Sequence, residues 1–80
     1  MNTKAIDYIL FAIQQKADLM DYNLDECADY NRVCEIVTDF EMSKPINFED
    51  KKFCADTLDT LCQALGLNYL VLLDKALGKL

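Results

Sequence analysis

Residues 3–20, with the sequence TKAIDYILFAIQQKADLM, carry the pattern that decides the fold of this chain. Apolar side chains recur in this stretch at intervals of three and four residues, which is the spacing of one face of an α-helix. These side chains are Ile6, Ile9, Leu10, Ile13, Ala17 and Met20. Acidic and amide side chains occupy the opposite face, so we predict an amphipathic helix with Asn2 or Thr3 as its N-cap.

Three further helices are predicted from their start and stop signals. Asn23, with a glutamate three residues later, predicts a reciprocal cap for a second helix, and Pro45 ends that helix. Asn47 caps a third helix, Gly66 ends it, and Asn68 caps a short fourth helix. The predicted helices cover residues 3–20, 24–42, 48–65 and 69–77. We therefore expect an all-α fold, a compact antiparallel bundle of about four helices, in a single domain of residues 1–80.

The composition is acidic, with 14 Asp and Glu residues against 8 Lys and Arg residues, no histidine and a net charge of −6. The phosphates of nucleic acids and the surfaces of anionic membranes repel such a protein, so we expect no direct nucleic acid binding and no membrane binding. The charge suits a basic protein or nucleoprotein surface as the partner. The alternative is that the charge only keeps the protein dispersed in solution.

Five acidic residues and a tyrosine flank the predicted corner between the first and second helices. They are Asp18, Asp21, Tyr22, Asp25, Glu26 and Asp29, and this set is termed the acidic corner. No basic residue occurs between Lys16 and Arg32. Carboxylates four residues apart on a helix are separated by ~6 Å, which is comparable with the phosphate spacing along one nucleic acid strand. We therefore predict that the acidic corner binds a basic groove built for DNA or RNA, and a solvated polar corner is the alternative.

The four cysteines are Cys27, Cys34, Cys54 and Cys62, and all lie in predicted helices. Secreted disulfide scaffolds are rich in loops and follow a signal peptide, whereas these cysteines lie in apolar helical patterns and the expected features of a signal peptide are missing. We expect free cysteines packed in the core of a protein in the cytoplasm of a bacterial or host cell. A disulfide between the second and third helices is the alternative. Cys27 and Cys34 share the second helix, and Cys54 and Cys62 share the third. The two cysteines of each pair are separated by ~10–12 Å, which is too far for both to ligate one zinc ion easily.

The sequence also carries no catalytic motif, and its many carboxylates lie on the predicted polar stripes, where they are expected to be solvated. Histidine, the commonest general base, is absent, and the only serine, Ser43, lies in a predicted loop beside Pro45. No phosphate-binding glycine loop, calcium loop or metal-binding helix motif occurs. We therefore expect a protein that is not an enzyme and has no catalytic residues, no cofactor and no metal.

Residues 61–68, with the sequence LCQALGLN, resemble the turn of helix-turn-helix DNA-binding proteins. The resemblance implies that a recognition helix follows and offers basic or amide side chains to DNA. The residues that follow are instead YLVLLD, at positions 69–74. We therefore expect an ordinary corner between two helices, closed by Gly66, and a DNA-binding regulator is the alternative.

The predicted fourth helix is apolar on nearly every face, and such a helix must be buried on every face. Its large apolar residues are Tyr69, Leu70, Val71, Leu72, Leu73 and Leu77. We predict that they mediate self-association into a homodimer, in which Val71 or Leu72 meets the second copy. The residues expected to pack inward are Leu70, Leu73, Leu77 and Leu80. The alternative is a central fourth helix that the other three surround.

Together these expectations describe a small acidic protein-binding domain without catalytic activity. By analogy of size and charge we expect an inhibitor of the phage or mobile-element type, which blocks the basic, nucleic-acid-binding surface of a host protein complex such as a defence nuclease. A helix-turn-helix transcriptional regulator is one alternative, and a purely structural oligomerisation module is the other.

Overall fold

The computed structural model describes residues 3–78, which form helices joined by short turns. The helices are α1 (Thr3–Leu19), α2 (Ala28–Glu41), α3 (Phe48–Ala64) and α4 (Tyr69–Gly78), and a short 3-10 helix (Leu24–Glu26) precedes α2. α1 and α3 each pack against all three of the other α-helices. The predicted all-α bundle of four helices is confirmed for the described residues. The N-cap expected at Asn2 or Thr3 and the inward position expected for Leu80 concern side chains outside the described part.

The core is formed by the apolar stripes of the first three helices. Ile9 and Ile13 of α1 are almost fully enclosed, with 1% and 0% of their surface exposed. The other buried residues of α1 are Ala5, Ile6, Leu10 and Ala17. α2 and α3 contribute Tyr30, Val33, Ile36, Val37, Cys54, Leu58, Leu61 and Cys62, and Leu65, which follows α3 directly, is buried with them. Met20 was expected on the inner face but is exposed, because α1 ends at Leu19 and the chain turns away from the core there.

The start of α2 differs from the prediction. The side chain of Asn23 accepts a hydrogen bond from the Asp25 N–H at 3.0 Å and caps the 3-10 helix, and Glu26 returns no hydrogen bond to Asn23 among the described residues. The backbone is then extended at Cys27, and α2 begins only at Ala28. The predicted reciprocal cap and the helix start at residue 24 are therefore wrong. A capping pattern specifies which N–H groups need a partner, but the length of the helix that follows depends on packing.

α4 lies against α1 and α3 at the edge of the bundle. Its buried residue is Ala76, at 1% exposure, and its half-buried residues are Tyr69, Leu72 and Leu73. Leu70 and Leu77 were expected to face inward, and both are exposed. The alternative of a central fourth helix is also wrong, since half of α4 faces solvent. A helix that is apolar all round has no periodicity to select its inner face, and the small side chain of Ala76 allows the closest approach to its neighbours.

Three helices of the described region end in the same backbone arrangement. Each is followed by one residue with positive φ: Asp21 at 57°, Ser43 at 69° and Gly66 at 75°. After α3, for example, the Leu67 N–H donates to the Cys62 carbonyl at 2.7 Å, which is the Schellman hydrogen bond. Gly66 adopts this left-handed conformation without steric cost, whereas Asp21 and Ser43 adopt it at a cost of about 1 kcal/mol each.

The substitution Ser43→Gly is therefore expected to stabilise the fold by roughly 0.5 kcal/mol. Relief of the strain contributes about 1 kcal/mol, and the greater freedom of glycine in the unfolded chain offsets about half of this. The thermal midpoint should rise by about 4 °C in a calorimetric or circular dichroism melt. Ser43→Ala is the matched control and should give no rise, since alanine retains the Cβ that causes the strain. A Gly variant that melts at or below the wild-type temperature would contradict this explanation.

Candidate functional site

The acidic corner lies at one end of the bundle, where the chain passes from α1 to α2. Asp18 is in the last turn of α1, Asp25 is in the 3-10 helix and Asp29 is in the first turn of α2. All six residues of the corner are exposed. They occupy different local structures, so the regular helical spacing expected between the carboxylates is wrong. Helical geometry therefore does not determine the distances between these carboxylates.

The carboxylates of the corner have no basic partner among residues 3–78. The ion pairs in the described region lie elsewhere, on α2, on α3 and on the segment between them. Arg32 is 2.8 Å from Glu35 and 3.9 Å from Asp50, and Lys44 is 3.7 Å from Asp39. The charge of the acidic corner is therefore not neutralised within the described part of the protein and is available to a cation from outside.

Two grooves adjoin the corner, and Tyr22 lines both of them. The first, termed the Tyr30 groove, has a volume of about 300 Å³ and lies between Gln14, Asp18, Asp25 and Tyr30. At its base the Gln14 side-chain amide donates a hydrogen bond to the Tyr30 hydroxyl. Burial is the main cause that raises the pKa of Tyr30, and the nearby Asp25 carboxylate adds to it. The Tyr30 hydroxyl is therefore a neutral group, held by Gln14, in a groove that two exposed carboxylates also line.

The second groove, termed the α3 groove, has a volume of about 380 Å³. One wall is formed by the chain between α1 and α2 and by the start of α2, with Tyr22, Cys27 and Asp29. The other wall is α3, which contributes Phe53, Asp56, Thr57, Thr60, Leu61 and Ala64. Two acidic side chains and no basic one line this groove. It joins an apolar surface to the negative charge of the acidic corner.

Asp56 is the residue of this site that sequence reasoning missed. It is 27 positions after Asp29 in the chain but lines the same groove. The available signal was the helical spacing of α3, which groups Asp56 with Phe53, Thr57 and Thr60 on one face. The spacing does not indicate which neighbouring element this face meets, because that depends on how α2 and α3 pack together.

The cysteines are free thiols in the structure. Cys54 and Cys62 are buried in the core, whereas Cys27 and Cys34 are half-buried. Burial raises the pKa of the Cys54 and Cys62 thiols, and nearby carboxylates raise it further, so both are protonated and unreactive near neutral pH. Within residues 3–78, no group of three or more Cys, Asp or Glu side chains is placed to hold a metal ion.

On α4, the residues predicted to mediate self-association divide between two faces. Tyr69, Leu72 and Leu73 pack against the core. Leu70, Val71 and Leu77 are exposed by 73%, 47% and 58%, which makes them the part of the predicted surface that a second molecule can reach. The charged residues Asp74 and Lys75 lie among them.

Comparison of the chain with protein-family models, with curated proteins and with solved structures finds no match. None of the helices within the described range is long and apolar enough to cross a membrane. The candidate contact surfaces include the acidic corner, the two grooves beside it and the exposed face of α4.

The buried ionisable groups predict loss of stability in alkali. Burial raises the pKa of Cys54 and Cys62 above 9.0 and that of Tyr30 and Tyr69 above 10.0, so the folded chain holds these protons more tightly than the unfolded chain. This stabilisation is complete below about pH 8 and is lost as the pH rises through the folded-state pKa values. The thermal midpoint, measured in a reducing buffer, should therefore fall as the pH rises above about 8.5.

Tyr69→Phe tests this explanation, because it removes one of the four groups and keeps the ring. The thermal midpoint of this variant should fall less steeply with pH than that of the wild type. Identical slopes for the two proteins would show that Tyr69 does not contribute to the alkaline loss of stability.

Proposed function

We propose that this chain is a small acidic, non-catalytic protein-binding domain whose acidic corner docks on a basic protein or nucleoprotein surface. The observation that carries the proposal is the set of exposed carboxylates at the α1–α2 corner that have no basic partner among the described residues. Such a patch attracts a basic surface from a distance and raises the rate of association. The proposed site of action is the cytoplasm, where the thiols stay reduced.

The proposed consequence of docking is inhibition. A basic surface that binds DNA or RNA has to present Lys and Arg side chains to phosphates, and those side chains also bind carboxylates. A domain that occupies them excludes the nucleic acid without imitating its geometry. By analogy of size and charge, we propose an inhibitor of the phage or mobile-element type that acts on a host complex such as a defence nuclease.

Charge reversal tests the acidic corner. The double variant Asp21→Lys with Asp25→Lys is expected to lose the partner that the wild type captures from a host lysate, while its helical circular dichroism spectrum stays unchanged. The matched control is Asp7→Lys with Asp74→Lys, which changes the net charge equally at two exposed positions outside the corner. This control should keep the partner, and nucleic acid should compete with the wild type for it.

Two results would contradict the proposal. If the corner variant still binds the captured partner at low salt, the corner is only a solvated surface. If both variants lose the partner equally, the interaction depends on net charge and not on the corner.

A second candidate function is self-association through α4, supported by the exposure of Leu70, Val71 and Leu77. A stable interface buries about 800 Å² on each partner, and a helix of 10 residues supplies this only together with its neighbours. We therefore propose a weak homodimer with a dissociation constant in the micromolar range. In this role the domain is a structural oligomerisation module, and it is compatible with a partner at the acidic corner.

Light scattering over a concentration series tests the dimer. The wild type should approach the mass of two chains at high micromolar concentration, and Leu70→Gln with Leu77→Gln should remain monomeric. Leu19→Gln, which removes an exposed leucine outside α4, is the control and should associate like the wild type. A wild-type protein that stays monomeric throughout the series would refute the dimer.

The alternative of a helix-turn-helix regulator has less support. The exposed face of α4 presents three apolar residues, one acidic residue and Lys75 among its side chains. A recognition helix needs several side chains that donate to phosphates and base edges.

A further inference from the structure

We propose that the α3 groove receives an arginine side chain from a segment of the partner protein. This inference rests on the proposed function, because the same partner would cover the acidic corner and extend into the groove beside it. Tyr22 lines both the α3 groove and the Tyr30 groove at the corner, so the two surfaces are continuous.

The α3 wall of the groove is a single helical stripe. Phe53, Thr57, Thr60 and Ala64 follow one another at intervals of three and four residues, so the stripe extends over about three turns, or ~16 Å. Thr57 and Leu61 are buried at its floor, and Phe53 is half-buried. The groove is therefore long enough to accept the extended side chain of arginine together with part of the segment that carries it.

Thr57 indicates that a polar group belongs in this groove. The residue is 8% exposed, and its hydroxyl has no hydrogen-bonding partner within residues 3–78. In contrast, the exposed Thr38 hydroxyl donates to the Cys34 carbonyl of its own helix at 2.9 Å. No fully enclosed side-chain polar atom of the described region lacks a partner, so the Thr57 oxygen keeps some accessible surface, and Thr57 lines the α3 groove. A largely buried hydroxyl with free capacity is the position where a ligand or an ordered water completes the hydrogen bonding.

The charge of the groove selects a cation. Asp29 and Asp56 lie on opposite walls, and no basic side chain lines the space between them. The nearest base along α2 is Arg32, which is already paired with Glu35 and lies near Asp50. Two carboxylates at the rim of a largely apolar groove therefore favour a positively charged side chain with an apolar stem.

Arginine fits these groups better than lysine does. Its guanidinium is planar and presents five N–H donors, a number sufficient for a carboxylate on each wall and for the Thr57 hydroxyl. The same plane can stack on the ring of Tyr22 or Phe53, and the methylene stem covers Leu61. A lysine ammonium offers three donors from one point and has no flat surface to stack.

A titration with a blocked, alanine-based helical peptide tests the assignment. The peptide carries one leucine and one arginine four residues apart, and the comparison peptide carries neutral citrulline in place of arginine. Amide chemical shifts of the isotope-labelled protein report both the affinity and the location. We expect shifts centred on Tyr22, Thr57, Thr60 and Ala64, and about tenfold weaker binding of the citrulline peptide.

Three variants locate the contacts within the groove. Thr57→Val keeps the shape of the side chain and removes the hydroxyl. It should weaken binding of the arginine peptide about threefold without lowering the thermal midpoint of the protein. Asp29→Asn with Asp56→Asn should weaken it about tenfold, whereas the matched pair Asp7→Asn with Asp74→Asn should weaken it less than about twofold. Thr60→Met fills the groove and should also reduce binding, and Gln63→Met, on the same helix outside the groove, should not.

The outcomes separate this inference from the proposed function. Shifts that avoid α3, equal binding of the two peptides, or equal losses from the two asparagine pairs would each overturn the assignment of arginine to the groove. A second comparison uses the partner captured from the lysate. If the groove variants still bind this partner and the Asp21 and Asp25 reversal does not, the acidic corner binds a basic protein and only the groove assignment fails. If the groove variants lose the peptide as expected but the corner reversal keeps the captured partner, the groove assignment holds and the corner proposal fails.

Discussion

The structure depends on the burial of one stripe of side chains along α1. Ile9 and Ile13 are almost completely enclosed, and α1 contacts each of the other α-helices. A chain of 80 residues has a small core, so a stripe that serves three helix interfaces is a large share of it. α3 also contacts each of the other α-helices. Because α1 and α3 are central, α2 and α4 each keep an outer face that is exposed to solvent.

The position of the acidic corner follows from the same constraint. α1 ends where its apolar stripe ends, and the Schellman arrangement at Asp21 turns the chain back toward the core. Leu24 is then buried by the 3-10 helix, while the polar residues on either side of it remain outside. The corner is therefore formed by residues that the packing of α1 and Leu24 leaves in solvent. The α3 groove is formed in the same way, because the chain that leaves α1 passes over the face of α3 that contains Thr57.

Periodicity and capping residues were sufficient to predict the four helices and most of the core. The helix ends at Gly66 and before Pro45 were close to those observed, because both residues restrict the backbone locally. The start of α2 was not predictable in this way, since the 3-10 helix exists only when Leu24 has a core to enter. The inner face of α4 was also hidden, because leucines at positions 70, 72, 73 and 77 are equivalent until a neighbouring helix selects among them.

In the candidate site, too, features set by neighbouring residues in the chain were predictable, and features set by tertiary packing were not. The cluster of acidic residues around the first corner is visible in the sequence because its members are close along the chain. The places of Asp56 and Thr57 in the α3 groove depend on the packing of α2 against α3. A single sequence therefore predicts that this end of the molecule is acidic, and tertiary packing is needed to see that an apolar groove lies beside the charge.

The left-handed backbone of Asp21 has a consequence for how this sequence can change. Glycine is the residue that best fits such a position, and aspartate is among the few others that tolerate it. Ser43 occupies the equivalent position after α2 and has no carboxylate to lose. If the corner is under selection, substitutions toward glycine should accumulate at position 43 and be rejected at position 21, although both would relieve the same strain. The two positions thus form an internal comparison between selection for stability and selection for charge.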